Sequence, residues 1–553
     1  MLNKRNNKIE KILFIVPPCL AFDDFVRPAH NVKSTLKNGR AYGSLPTDMP
    51  LGVLSLSGYV KNNTSVETKL LDFNVVLNTL ECFDYSSFTE FFRKYLSLSE
   101  FVDYKPTIIG LSTLFAPSYR NMLDIIKSCR DIFPDAIIIA GGGVPQNVYV
   151  NMFKEVPELN AICYGEGEKP LLGLLKAKDK LSYFEESSSW ITRNKIECTQ
   201  FKHDFIEDLD EIPFYDYDLC RVEDYDLNPG HDGRIEAARN FPVMTSRGCP
   251  YKCTFCASHT VHGRKMRYHS LDYVNENLKL LKEKYCARTL VFQDDCFLLD
   301  KKRAHDIINM VRELGFNAVF QNGLNLYALD RKMLEAMSEV GIKHLTLPVE
   351  SGSQRVLTEI IRKPLKLEII ERVANDCRSL GIYTNANLLI GMPGETKKDI
   401  EDTRKFLKKL NVNWIGFLIA TPLAGSEMLD VCLKKGYLRG DYLDVDFKKP
   451  IIETEHFTPD YISKTVYAMN LEINFVENVD YRLGEYKKAL MGFENAIKAK
   501  SDHAFAHYYA GKCYQKLGDA EKAQKHLNAA KKIIAEQPFW KEYADVFNVE
   551  VQD

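Results

Sequence analysis

Cys249, Cys253 and Cys256 stand within eight residues, in the stretch Thr245-Ser-Arg-Gly-Cys-Pro-Tyr-Lys-Cys-Thr-Phe-Cys-Ala257. Thiolates this close converge on one small object when the backbone curls around it. Iron–sulfur clusters are held by such thiolates, usually four. A trio without a fourth neighbour leaves one iron open, the feature that separates catalytic metal sites from closed structural ones. Zinc is the other metal the pattern admits, with His259 or His262 completing a Cys3His set. A disulfide framework would leave one cysteine over and would need an oxidising compartment.

Such a centre needs a scaffold, and the surrounding sequence supplies one. From about 240 to 430, strand and helix signals alternate: Phe241–Ser246, Thr289–Gln293, Asn317–Gln321, His344–Val349, Tyr383–Ile390 and Trp414–Ala420 read as strands. Six βα units in a row predict a partial barrel, whose chemistry belongs at the strand C-termini. There the chain carries Gln293-Asp-Asp-Cys-Phe297, Glu350-Ser-Gly-Ser-Gln354, Leu389-Ile-Gly-Met-Pro-Gly-Glu395 and Thr421-Pro-Leu-Ala-Gly-Ser-Glu427. Cys296, Cys377 and Tyr383 are candidates for the barrel lumen, and His262, Arg264, Arg267 and Tyr268 for packing around the cysteine loop.

Between residues 10 and 175, Lys11–Val16, Thr68–Phe73, Thr107–Thr113, Ala136–Ala140 and Ala161–Tyr164 read as apolar strands. Helices at Leu51–Lys61 and Ser118–Ile132 fall among them. Continuous apolar strands alternating with helices imply a parallel sheet covered on both faces, which binds ligands at the strand C-termini. Those ends carry Pro17-Pro18, Ser112-Thr113, Gly141-Gly142-Gly143 and Gly165-Glu166-Gly167.

C-x3-C-x2-C with Phe255 before its last cysteine is the pattern of the radical S-adenosylmethionine (SAM) enzymes. The N-terminal part resembles the cobalamin-binding domain that precedes many radical SAM domains. The resemblance covers about residues 8 to 440. It implies a [4Fe-4S] cluster on Cys249, Cys253 and Cys256, whose open iron chelates SAM and reduces it to a 5′-deoxyadenosyl radical. It places SAM against Phe255, Asp294 or Asp295, Glu350, Ser351, Asn387 and Gly391. It places cobalamin against Pro18, Ser112, Thr113, Gly141, Gly142, Gly143, Glu166 and Gly167. Two departures are visible. The D-x-H-x-x-G motif whose histidine ligates cobalt is absent, and no histidine falls between His30 and His203. Asn322-Gly323 stands at the third barrel strand's end, where relatives often carry an arginine.

The last ninety residues turn rich in Ala, Lys, Glu and Tyr. Leu483-Gly484 recurs as Leu517-Gly518, Ala489 as Ala523, Phe493 as Leu527 and Ala496 as Ala530, each 34 positions on, the tetratricopeptide period. Two copies are fewer than an independent array needs, so they are expected to pack on the body or on another subunit.

The expected fold class is therefore α/β: a Rossmann-like cobalamin-binding domain (8–185), a linker (186–235), a partial (β/α)6 radical SAM barrel (236–455), then all-α helical repeats (465–540). The 553 residues hold 73 basic against 75 acidic side chains, a balance that points away from nucleic acid as a partner. The other cysteines are scattered singly, and the apolar run Ile12–Val16 stops at Pro17-Pro18, too short for a signal peptide. No run reaches the length of a membrane span. A reduced cytoplasmic protein is expected. The resemblance implies a cobalamin-dependent radical SAM methyltransferase acting on an unactivated carbon, with a small-molecule or peptide substrate and an electron donor such as flavodoxin or ferredoxin. Its alternatives are cyclisation, ring contraction or oxidative rearrangement on the same cofactors, and a repeat-bearing scaffold with a vestigial redox centre. No catalytic acid or base is assigned from sequence.

Overall fold

The computed structural model describes residues 9–28, 34–113, 116–197, 200–225, 239–444, 447 and 449–550. Residue 8, His30 and the 226–235 end of the expected linker lie outside them. Strands β1 (Lys11–Val16), β2 (Glu67–Asp72), β3 (Ile108–Ser112), β4 (Ile137–Gly141), β5 (Ala161–Cys163) and β6 (Trp190–Ile191) form one sheet in the order β2-β1-β3-β4-β5-β6. All neighbours are parallel except β5 and β6. One face packs under aromatic-rich helices through Phe91, Ile125 and Phe153, and the other under Val53, Val60 and Leu171. Burial on both faces explains why these strands read as continuous apolar runs rather than alternating ones.

The second unit is built from β7 (Asn240–Val243), β8 (Thr289–Phe292), β9 (Asn317–Phe320), β10 (His344–Glu350), β11 (Tyr383–Ile390) and β12 (Trp414–Ile419). They form two parallel three-stranded sheets, β9-β8-β7 and β10-β11-β12, with β9 beside β10. The six strands thus follow sequence order around an incomplete barrel. Every strand expected from sequence forms within a few residues of its expected bounds. The short antiparallel β6 and the hairpin Ser34–Lys37/Arg40–Gly43 were not foreseen.

The C-terminal boundary differs from the expectation. Helix Pro459–Leu471 and the turn Glu472–Val476 supply Ile462, Met469 and Ile473 to the barrel core, so the barrel body continues well past residue 455. Beyond it, helices Tyr486–Ala499, Ala504–Leu517, Ala520–Glu536 and Pro538–Val546 surround Phe493, Phe505 and the fully buried Trp540. Gly484 and Gly518, 34 residues apart, both leave a helix end in left-handed conformation, with φ of 79° and 82°. The region also leans on the barrel: the Trp414 ring lies 2.6 Å from where a Gly492 Cβ would sit, so only glycine permits the approach.

Candidate functional site

The cysteine loop follows the short ribbon Ser246–Arg247, paired antiparallel with Arg267–Tyr268, and ends at helix His259–His262. Its curl starts at Gly248, with φ of 96° and a would-be Cβ 2.4 Å from the Lys265 carbonyl oxygen. No side chain fits there. Thr254 then pins the loop to the barrel. Its N–H donates to the Ile361 carbonyl (3.1 Å), its hydroxyl to that of Ile360 (2.9 Å), and its carbonyl accepts from the Met428 N–H (2.8 Å).

Cys249, Cys253 and Cys256 line a single cavity of about 330 Å³, with Phe255 between them. Asp295, Glu350, Lys363 and the segment Asn322–Tyr327 line the same cavity. The neighbouring Cys296 thiol draws that of Cys249 below its ordinary range against the effect of burial, while burial pushes Cys253 up to about 11 with the Lys363 ammonium opposing. Metal coordination displaces such protons. Three thiols opening onto shared space, with a lysine alongside, are a donor set that fits an iron–sulfur cluster. Of the two histidines that zinc would recruit, His262 gives its Nδ1 to Glu166 at 3.0 Å, and only His259 borders the cavity.

The paired aspartates separate. Asp294 is buried and accepts from the Thr245 N–H and the Thr245 and Ser246 hydroxyls at 2.6–3.0 Å, so it locks the end of β7 to β8. Asp295 lines the cavity, and its Oδ2 is buried without a hydrogen-bond partner. A buried orphan acceptor calls for a ligand donor, and the SAM ammonium fits it. Glu350 sits at a bulge of β10 with φ of 66°, strained for a residue other than glycine. Lys363 holds it, donating to Glu350 Oε1 at 2.9 Å and to the Pro348 carbonyl at 2.6 Å. Lys363 escaped the sequence reading because it lies in an irregular turn after β10, away from any strand end.

Ser351 faces away, its hydroxyl meeting Thr403 Oγ1 at 3.2 Å and accepting from the Ser353 N–H. Asn387 shares a half-buried face of β11 with Asn385 and Leu389. Gly391, with φ of 93°, donates its N–H to Glu395 Oε2 at 2.7 Å. Neither Asn387 nor Gly391 borders the cluster cavity. Cys377 belongs to helix Leu367–Ser379 and is buried outside the lumen.

Pro18, Ser112, Thr113 and Gly141–Gly143 gather at the carboxyl edge of β1, β3 and β4. The Gly142 φ is 95°, and a Cβ there would come within 2.3 Å of the Thr113 carbonyl oxygen. This glycine-rich ledge stands at the strand ends, where a doubly covered parallel sheet takes its ligand, and its Gly142 face is filled by the chain's own Thr113 backbone. Glu166 and Gly167 do not join it. Both Glu166 oxygens are taken up by Arg247, Arg267 and His262, which leaves no acceptor for a cofactor. Gly167 packs under Leu56. His203 stacks between Tyr164 and Phe205, at 4.7 and 4.6 Å.

Residues 47–175 match the B12 binding domain family and residues 243–407 the radical SAM superfamily. The chain is 28% identical to an uncharacterized methyltransferase, PH0819, of Pyrococcus horikoshii, over 83% of this chain and 91% of that protein. It is 26% identical to the cytidylyl-2-hydroxyethylphosphonate methyltransferase of Streptomyces wedmorensis, over 61% of this chain and 68% of that protein. It is also 25% identical to the anaerobic magnesium-protoporphyrin IX monomethyl ester cyclase of Rubrivivax gelatinosus, over 65% and 63%. In fold it resembles the radical SAM methyltransferase TsrM of Kitasatospora setae, solved with cobalamin and a [4Fe-4S] cluster, with a TM-score of 0.57 at 13% identity, covering 96% of this chain and 100% of that one. Two domain matches in this order, over a cavity lined by all three cysteines, show that the chain carries a B12 binding domain followed by a radical SAM domain.

Proposed function

We propose that this protein is a cobalamin-dependent radical SAM methyltransferase that acts on an unactivated carbon. One observation carries the reading: the cavity joins three thiol donors to the orphan carboxylate of Asp295, in a chain whose residues 47–175 match the B12 binding domain. When bound, the cluster and SAM supply a carbon radical and the corrinoid a transferable methyl group. The protein's own part is to hold and orient. Cys249, Cys253 and Cys256 bind the cluster, Asp295 takes the SAM ammonium, and Glu350, fixed by Lys363, offers an acceptor in the same cavity. Phe255 lines the same cavity and would pack beside a cluster bound there. Asn322-Gly323 stands where relatives often carry an arginine; Gly323 packs on Pro348 and Asn322 Nδ2 donates to the Gln293 carbonyl at 2.7 Å.

The methyltransferase relatives support methyl transfer, and the cyclase relative keeps rearrangement as the competing outcome. A single turnover of anaerobically reconstituted protein, loaded with reduced corrinoid and given SAM, separates the two. Methyl transfer yields up to one S-adenosylhomocysteine per corrinoid. Formation of 5′-deoxyadenosine without any S-adenosylhomocysteine favours rearrangement. The reductant would be a low-potential donor such as flavodoxin or ferredoxin in a reducing, cytoplasmic setting. Among the described residues no helix is long and apolar enough to cross a membrane. The C-terminal helices, read as tetratricopeptide-like, serve as a packing and docking module for a peptide, a protein partner or a second copy.

A further inference from the structure

The cluster loop is held at both ends by the domain across from it. Arg247, two residues before Cys249, donates to Glu168 Oε1 at 2.8 Å and lies 3.2 Å from Glu166 Oε2. Beyond the loop, Arg267 grips Glu166 in bidentate fashion at 2.6 and 2.9 Å, and His262 Nδ1 meets it at 3.0 Å. The side chains of Arg247, Arg267, Glu166 and Glu168 are at most 6% exposed, so these pairs act with little screening.

A second tie lies closer to the thiols. The Thr260 hydroxyl donates to the carbonyl of Ala257, the residue after Cys256, at 2.8 Å. It accepts from Gln146 Nε2 at 3.1 Å and Asn147 Nδ2 at 2.9 Å, which fills its bonding capacity. Both amides stand on helix Gly143–Asn147, which starts at the glycine ledge, and Gln146 Oε1 also accepts from the Gly165 N–H at 2.6 Å.

We propose that Thr260 and Glu166 are positioning residues through which the B12 binding domain sets the geometry of the cluster loop. The turn Tyr164–Glu168 thereby serves the cluster rather than the corrinoid. The inference rests on the cluster reading of the proposed function. The loop has little regular structure between Arg247 and His259, so its thiols and Phe255 stand where the two ties and Thr254 put them. SAM must chelate an iron held by those thiols, and a small displacement costs alignment.

The test uses the full chain, reconstituted anaerobically with iron, sulfide and cobalamin, as wild type, Thr260→Val, Thr260→Ser and Gln146→Met. Electron paramagnetic resonance of the reduced cluster is followed while SAM is added. The wild-type spectrum by itself tests whether a cluster forms, which separates failure of the functional reading from failure of this one. Thr260→Val preserves shape but removes the acceptor of the buried Gln146 Nε2 and one of the two acceptors of Asn147 Nδ2, which keeps the Gly143 carbonyl. We expect it to retain iron and corrinoid while its SAM-induced spectral change needs on the order of tenfold more SAM. Gln146→Met, made on the far side of the contact, moves the titration in the same direction, and Thr260→Ser restores it. Wild-type titrations for both Thr260→Val and Gln146→Met would overturn the proposal. So would a Thr260→Ser protein as impaired as Thr260→Val, because the cause would then be steric.

Discussion

The Lys363 ammonium lies 2.9 Å from Glu350 Oε1, on the wall of the cavity that the three cysteines also line. It therefore fixes the strained Glu350 backbone and places a positive charge beside Cys249 and Cys253. A positive charge near a cluster favours the reduced, more anionic state. Lys363→Met should lower the midpoint potential by roughly tens of millivolts. Redox titration followed by the reduced-cluster signal measures this, and an unchanged potential would remove Lys363 from the site.

Asp295→Asn should weaken SAM binding while Asp294→Asn should instead destabilise the fold. The orphan Oδ2 belongs to Asp295, whereas Asp294 is saturated by Thr245 and Ser246. Breaking a charge-assisted bond costs about 1.5–3 kcal/mol, a loss in SAM affinity on the order of tenfold to a hundredfold. Equilibrium binding of SAM and thermal unfolding of each variant distinguish the two. Equal SAM affinity in Asp295→Asn and wild type would contradict the assignment.

Asn474 closes the edge of the barrel, accepting from the Ile415 N–H at 2.9 Å and donating to its carbonyl at 2.8 Å. Asn474→Ala should destabilise the apo-protein by about 3 kcal/mol, because two buried backbone groups lose their partners. By the same reasoning a chain ended near residue 460 should aggregate or lose its iron, since Ile462, Met469 and Ile473 leave the core with it. A soluble, iron-containing truncation would show that the barrel ends where its strands end.

Burial raises the Glu395 carboxyl to about 7, opposed by the N–H groups of Gly391 and Met392. A carboxyl raised on folding stabilises fully below its unfolded pKa, and that contribution is lost as pH rises through the folded value. Unfolding measured between pH 5 and 8 should therefore show Glu395→Gln gaining on wild type as pH rises, by up to about 3 kcal/mol. A stability difference that is flat across this range would show that the carboxyl is ionised throughout.

The corrinoid should bind without a protein imidazole on cobalt. The ledge of Pro18, Ser112, Thr113 and Gly141–Gly143 includes no histidine, and His203 is held in its stack by Tyr164 and Phe205. Loading with cobinamide, which lacks a base of its own, makes the paramagnetic cobalt spectrum decisive. Nitrogen splitting from the protein would refute the prediction.

Much of this was legible in the sequence because the signals were local. Continuous apolar strands marked the parallel sheets, and spacing alone marked the cysteine trio. Pairings between distant segments left no such trace. Asp294 and Asp295 are adjacent, and only the fold shows that one meets Thr245 while the other meets the cavity. Glu166 looked like a strand-end ligand because its partners Arg247 and Arg267 come from another domain. Helix Pro459–Leu471 followed the last barrel strand and resembled the helices after it, so its place in the barrel core was hidden. Gly484 and Gly518 were readable because a helix end needing left-handed backbone selects glycine wherever it occurs.

The most direct test of the central claim is reductive SAM cleavage by anaerobically reconstituted protein, compared with Cys249→Ala/Cys253→Ala/Cys256→Ala, with iron, sulfide and bound corrinoid determined on the same samples. Wild type should carry a [4Fe-4S] complement and corrinoid and should release 5′-deoxyadenosine on reduction. The triple variant should remain soluble and keep its corrinoid but lose both cluster absorbance and cleavage. Cleavage that survived in the triple variant, or a wild type that assembled no cluster, would contradict the account.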